Sequence, residues 1–241
     1  MKYEIDKVLL SREQIASRVR ELGRAVAKDL EAKLHADGDD PDRHADRVVM
    51  LPVMTGAFVF TADLVREMPL KLSIRLVAVE SDPGTATESK GAKLRGAMPK
   101  DLDGRHVVII DDIHDSGRTL KLIQEICEEQ GAASVTSCVL LDKQVEKAVD
   151  APADYAGFEI PDEFVVGYGL DYDGYFRNLP EIVTLKEVGR SPDSRLLRIL
   201  VALALPVLTY RLIQLFDRVA CAAELFERQP LGDPSVLFTH K

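Results

Sequence analysis

Residues 107–120 read VVIIDDIHDSGRTL, an apolar run that delivers three carboxylates, two hydroxyls and a glycine in quick succession. Asp111 and Asp112 close the run, Asp115 follows, and Ser116, Gly117, Arg118 and Thr119 open the next helical pattern. Free backbone N–H groups at a helix N-terminus, a glycine that permits close approach and two hydroxyl donors together make a phosphate cradle. The carboxylates suit sugar hydroxyls or a magnesium ion, which prefers oxygen ligands. Simple solvation of a strand end is the bland alternative. Three carboxylates directly beyond a buried strand would repel one another without a partner, which counts against it. Neither a Walker A pattern nor a GxGxxG fingerprint occurs elsewhere, so the NTPase and dinucleotide readings are disfavoured.

The elements that must carry this turn alternate. Ser11 with Gln14 three residues later forms a potential capping box, and Ile15, Val19, Leu22, Val26, Leu30 and Leu34 then recur at helical spacing. Residues 35–46, HADGDDPDRHAD, read as a solvated acidic loop; His35 and His44 within it lack the regular spacing of a metal site. Strands are expected at 48–53, 72–79, 106–113, 134–141, 164–168 and 182–186, and helices at 56–67 and 117–130, the latter stopped at Gly131. This grammar predicts an α/β fold, a mainly parallel sheet with helices on both faces. In such sheets ligands bind beyond the carboxyl ends of the strands, where the 111–119 turn must lie.

With 241 residues, 46% of them hydrophobic and 29% charged, the chain can bury one full-sized core with length to spare. A net charge of -9 without a dense basic run argues against nucleic-acid partners. Cys127, Cys138 and Cys221 show no ligand spacing and read as core thiols in a reducing compartment. No apolar signal segment follows Met1, so the cytoplasm is the expected setting. Residues 196–216, LLRILVALALPVLTYRLIQLF, are very apolar but broken by Arg198, Pro206 and Arg211. The uncharged run 199–210 is shorter than the ~20 residues of a spanning helix. One or two kinked helices docked on the core or a second subunit are expected, with a membrane-surface anchor as the competing reading.

The 111–119 segment resembles the phosphoribosyl pyrophosphate loop of the type I phosphoribosyltransferases: two acids, two residues, then Asp, Ser or Thr, Gly, any residue, Thr. Downstream, residues 157–162 (GFEIPD), 164–172 (FVVGYGLDY) and 175–180 (YFRNLP) are similar, almost residue for residue, to the hypoxanthine (guanine) branch of that family. The resemblance runs from about Lys7 to Glu187. It implies a phosphoribosyltransferase domain over 1–190, with a small hood at about 143–171, and leaves 191–241 as a helical C-terminal appendage.

By the same resemblance Asp111 and Asp112 hold the ribose hydroxyls, directly or through Mg2+, and Asp115, Ser116, Gly117, Arg118 and Thr119 wrap the 5′-phosphate. Asp115 is also the general base. Thr55, Gly56 and Arg177 meet pyrophosphate, and Asp171 binds magnesium. Phe164 stacks on the purine, Val165 contacts it through its backbone, and Lys143 donates to the 6-oxo group. An ammonium has only donors, so Lys143 matches hypoxanthine or guanine and mismatches the amino group of adenine. The implied activity is purine salvage from a purine base and phosphoribosyl pyrophosphate, by a homo-oligomer, dimer or tetramer. A non-catalytic regulator of the same fold is the alternative. Two positions depart from the family: Thr55 stands where a lysine precedes Gly56, and Asp82 stands where a tyrosine follows Ser81 in the mobile loop, although Thr87-Glu88-Ser89 keeps the loop's character.

Overall fold

The computed structural model describes residues 3–40, 45–80 and 93–187. Position 82 and the apolar C-terminal stretch therefore lie outside the described residues. Tyr3–Lys186 forms one compact unit.

Its main sheet has the order β5-β4-β2-β6-β7-β8, with β3 also pairing β2. The strands are β2 (Val48–Met54), β3 (Ser73–Ile74), β4 (Val77–Glu80), β5 (Lys93–Leu94), β6 (His106–His114), β7 (Ser134–Lys143) and β8 (Tyr155–Ile160). All its pairings are parallel except β4 with β5. The central strands are apolar on both faces, as a parallel sheet covered on both sides requires. Val48, Met50, Val108 and Ile110 point into one core cluster, whereas Val49, Leu51, Val107 and Ile109 enter a second.

The first cluster is closed by α1 (Arg12–Ala36) and α2 (Phe58–Leu64), the second by α3 (Arg118–Glu129) through Leu120, Ile123 and Cys127. α1 buries the six apolar residues its spacing marked out, each worth about 1.5–3 kcal/mol against exposure. Its Ser11 cap has both halves of the capping box: Gln14 N–H donates to Ser11 Oγ at 3.4 Å, and Ser11 N–H donates to Gln14 Oε1 at 2.8 Å. Past α3 and its cap Gln130, Ala132 N–H reaches back to the Cys127 carbonyl at 3.1 Å, closing the helix at Gly131 as expected.

Several elements differ from the sequence reading. α1 runs through His35 to Ala36, and Arg47 draws Asp37 and Asp39 into ion pairs of 2.8 Å each, so the acidic segment is partly anchored. α2 begins only at Phe58 because Thr55–Ala57 are taken up in a turn. A second, three-stranded sheet joins β1 (Tyr3–Leu10), β10 (Ile182–Glu187) and β9 (Val165–Val166) in the order β1-β10-β9. The expected hood segment, about 143–171, is divided between the two sheets. β8 belongs to the main sheet, and only β9 of that segment joins the small one, beside strands from both ends of the unit. β9 stops at Val166 because Gly167 and Tyr168 both have positive φ. Among the described residues no helix is long and apolar enough to cross a membrane.

Because the Ser11 box satisfies donors that α1 otherwise leaves open, Ser11→Ala should cost about 1 kcal/mol and lower Tm by about 2–4 °C. Thermal unfolding of the two proteins side by side checks this, and an unchanged Tm would mean that the box contributes nothing.

Candidate active site

The chain leaves β2 toward β4 on one side and returns to β6 on the other, so strand order reverses between β2 and β6. Ligands of doubly wound sheets sit at such a point. Pairing of β2 with β6 ends at Pro52 opposite Ile110, while pairing of β6 with β7 continues to His114 opposite Asp142. Beyond Ile110 the β2 side of β6 is consequently open, and a cleft of about 620 Å³ lies there. It gathers Thr55, Gly56, Asp111, Asp112, residues 115–119, Asp171 and Arg177, whose elements are spread over more than a hundred residues of chain.

The acid pair forms the floor. Asp111 is buried at 7% exposure, and burial together with the neighbouring Asp112 charge drives its carboxyl well above the usual range. Burial also raises Asp112, against hydrogen bonds that oppose it and the more distant attraction of Arg177. Each side chain folds back on the strand: Asp112 N–H donates to Asp111 Oδ1 at 3.0 Å and Ile113 N–H to Asp112 Oδ1 at 3.1 Å. Gly56 lies so close that a methyl group there would collide with the Asp112 carboxylate. Glycine is required at 56 by this approach, whatever precedes it.

The phosphate loop follows. Gly117, at φ 80°, caps α3 in a left-handed conformation that only glycine adopts without strain, and it packs on the Val149 carbonyl. The α3 N–H groups thus open onto the cleft beside Ser116 and Thr119. Val149 N–H donates to the Ser116 carbonyl at 3.2 Å, fixing the outer side of the loop.

Arg177 closes the opposite wall. Its guanidinium donates to the Gly169 carbonyl and pairs with Asp171 Oδ1, both at 2.6 Å, while Asp171 Oδ2 accepts from Gly174 N–H at 2.7 Å. Among the described residues no three potential metal-ligating side chains stand close enough to form a cage by themselves. The lining nevertheless holds four aspartates against two arginines. A cation would offset that excess of carboxylates for an entering polyanion. The donor set fits an ion held by one or two carboxylates and completed by substrate oxygens, as magnesium at phosphate sites usually is.

Lys143, Phe164 and Val165 are not among the residues that line this cleft. The Lys143 ammonium stands 3.9 Å from Asp115 and 3.0 Å from Asp162. Phe164 is 53% exposed and meets Tyr172 edge-on at 5.6 Å, and Tyr172 is also packed by Tyr3 of β1 at 4.6 Å. Val165 is buried in β9, in register with Thr184 of β10.

Three further residues, unmarked in the sequence reading, join the ends of β6 and β7. His114 Nδ1 meets Asp142 Oδ1 at 3.0 Å. The Lys147 ammonium donates to that same oxygen at 2.9 Å and to the carbonyls of His114 at 2.8 Å and Lys143 at 2.6 Å. Burial pushes the Asp142 carboxyl up, but hydrogen bonds from Lys147 and His114 outweigh it and hold the group below its usual range. No spacing announces this cluster, because its partners lie on different strands.

The model of the phosphoribosyl transferase domain family matches residues 19–173. A hypoxanthine phosphoribosyltransferase of Haemophilus influenzae is 36% identical over 188 residues, covering 77% of this chain and 99% of the relative. A hypoxanthine-guanine phosphoribosyltransferase of Bacillus subtilis is 38% identical over 186 residues, 77% of this chain and 96% of that one. The crystal structure of a hypoxanthine phosphoribosyltransferase from Staphylococcus aureus superposes with a TM-score of 0.65 at 36% identity, over 76% of this chain and 92% of its own. The strand-end acids, the glycine-capped loop and these similarities converge: the chain belongs to the phosphoribosyl transferase domain family, in its hypoxanthine (guanine) branch.

Proposed function

We propose that the protein transfers phosphoribosyl from phosphoribosyl pyrophosphate to N9 of hypoxanthine or guanine, yielding IMP or GMP and pyrophosphate. The observation that carries this is the meeting of the acid pair, the phosphate loop, Gly56 and Arg177 in one cleft at the strand-order reversal. The named relatives are all phosphoribosyltransferases, and the regulator alternative gains no support from them.

In the reaction the bond from C1′ to the pyrophosphate oxygen breaks, that oxygen keeps the electron pair, and purine N9 bonds to C1′. Positive charge develops on the sugar and negative charge on the leaving group. In this reading Arg177 and the backbone donors at Thr55 and Gly56 meet the growing charge of the leaving group, and fixed donors in such a place lower the barrier without reorganising. Thr55 brings a hydroxyl and an N–H but no charge, so Arg177 carries the cationic part on this wall. Asp111 and Asp112 receive the ribose hydroxyls, and residues 115–119 receive the 5′-phosphate. Phe164 offers an exposed ring for stacking, Val165 its backbone, and Lys143 a donor for the 6-oxo group. Asp115, within reach of Lys143, takes the N7 proton as the N9 bond forms.

Asp111, Asp112 and Asp171 would hold Mg2+, which when bound neutralises charge on the diphosphate. The surplus of carboxylates over arginines in the lining supports this reading. Cys127 and Cys138 are free and buried, and burial pushes both thiols up to about 12, which leaves them inert core residues; the cytoplasm as the setting rests on the sequence reading. Assembly as a dimer or tetramer rests on the family resemblance, and docking of 191–241 as a helical appendage rests on the sequence alone.

Asp115→Asn should lower turnover by roughly 10²–10⁴-fold with little change in substrate binding, the loss typical of a general base. Steady-state kinetics beside equilibrium binding checks it; wild-type turnover in the variant would remove Asp115 from the chemistry. Lys143→Ala should weaken the use of hypoxanthine and narrow its advantage over adenine, since a carbonyl left without its donor is discriminated against. The ratio of kcat/KM for the two bases measures this, and an unchanged ratio would place base recognition elsewhere.

A further inference from the structure

His114 sits between the acid pair and Asp115 yet has no part in the chemistry above. It is 5% exposed, and its Nε2 is buried with no hydrogen-bond partner. Nδ1 faces the Asp142 carboxylate, so in the neutral ring the proton sits on that nitrogen and Nε2 is an acceptor. Nε2 points to the loop: a methyl group placed on Gly117 would stand 3.6 Å from it. A buried acceptor left unpaired is disfavoured, and a nearby N–H or hydroxyl is the natural remedy. The neighbouring loop carries such groups on Ser116, Gly117 and Thr119. The ring cannot swing away, because Asp142 is itself held by Lys147, whose ammonium also grips the carbonyls of His114 and Lys143.

We propose that His114 is a positioning residue whose Nε2 accepts a hydrogen bond from the 115–119 loop when phosphate seats there. The inference rests on the phosphoribosyltransferase reading. The His114–Asp142–Lys147 cluster ties that contact to the Lys143 backbone, since the Lys147 ammonium donates to the Lys143 carbonyl. The device links the two substrate subsites through the ends of β6 and β7 rather than through either substrate.

Two variants separate this role from mere packing. Asn at 114 can keep a donor near Asp142 but has no atom at Nε2, whereas Gln reaches toward the Nε2 position. His114→Asn should raise KM for phosphoribosyl pyrophosphate about tenfold, the worth of one hydrogen bond, with kcat within about twofold. His114→Gln should recover much of that KM. An unchanged KM in a folded His114→Asn protein, or equal losses in both variants, would overturn the proposal. Should the variants not fold, wild-type protein with 15N-labelled histidine decides the matter. The Nε2 resonance should move when ribose 5-phosphate is added, and a resonance that stays put at saturation would overturn the proposal. Failure of the wild-type protein to form IMP would count against the function itself, whereas an active wild type with an unmoved KM counts against His114 alone.

Discussion

Two adjacent carboxylates at the end of a buried strand set the terms for the rest of this molecule. Asp111 and Asp112 sit where β6 has lost β2 as a neighbour but still pairs with β7. Burial there disfavours both charges, and the pair disfavours itself further. The surrounding structure softens the cost without removing it. Backbone N–H groups of Asp112 and Ile113 reach each carboxylate, and Arg177 adds a more distant attraction. A site built this way holds unmet demand for a cation and for hydroxyl donors, and phosphoribosyl pyrophosphate with a divalent ion supplies both.

The same constraint explains why distant segments converge. Gly56 must approach the Asp112 carboxylate, so β2 has to end in a turn before α2 begins. Arg177 must be aimed from the loop between β9 and β10, and it is tied there by the Gly169 carbonyl and Asp171. That loop is held by a small sheet that draws strands from both ends of the compact unit. On the other flank, Lys147 gathers the ends of β6 and β7 with an ammonium that makes three hydrogen bonds. Surface pairs such as Lys7–Glu163, by contrast, contribute about 1 kcal/mol or less.

Much of this was legible in the sequence because the signals were local. The capping box at Ser11, the spacing from Ile15 to Leu34, the apolar run before Asp111 and the glycine at the head of α3 each sit within one element. What escaped depends on partners far along the chain. β1 is largely exposed and shows no alternation, since it lies at the edge of a small sheet. β8, absent from the expected strands, carries Gly157 in its interior; part of its outer edge is met by Arg18 of α1, which donates to the Ala156 and Gly157 carbonyls at 2.9 and 2.8 Å. His114 and Asp142 look ordinary until β6 and β7 are laid side by side. Nothing local tells the strand at 155–160 to join the main sheet either.

The central claim is that this cleft joins a 6-oxopurine to a ribosyl phosphate. Its most direct test incubates the wild-type protein with magnesium, phosphoribosyl pyrophosphate and, in turn, radiolabelled hypoxanthine, guanine, xanthine and adenine. Product nucleotide and released pyrophosphate are both measured. The account predicts that hypoxanthine, guanine or both become the monophosphate with one pyrophosphate released per turnover, while adenine is left almost untouched. Binding of phosphoribosyl pyrophosphate without conversion of any base, or conversion of adenine as fast as hypoxanthine, would contradict it.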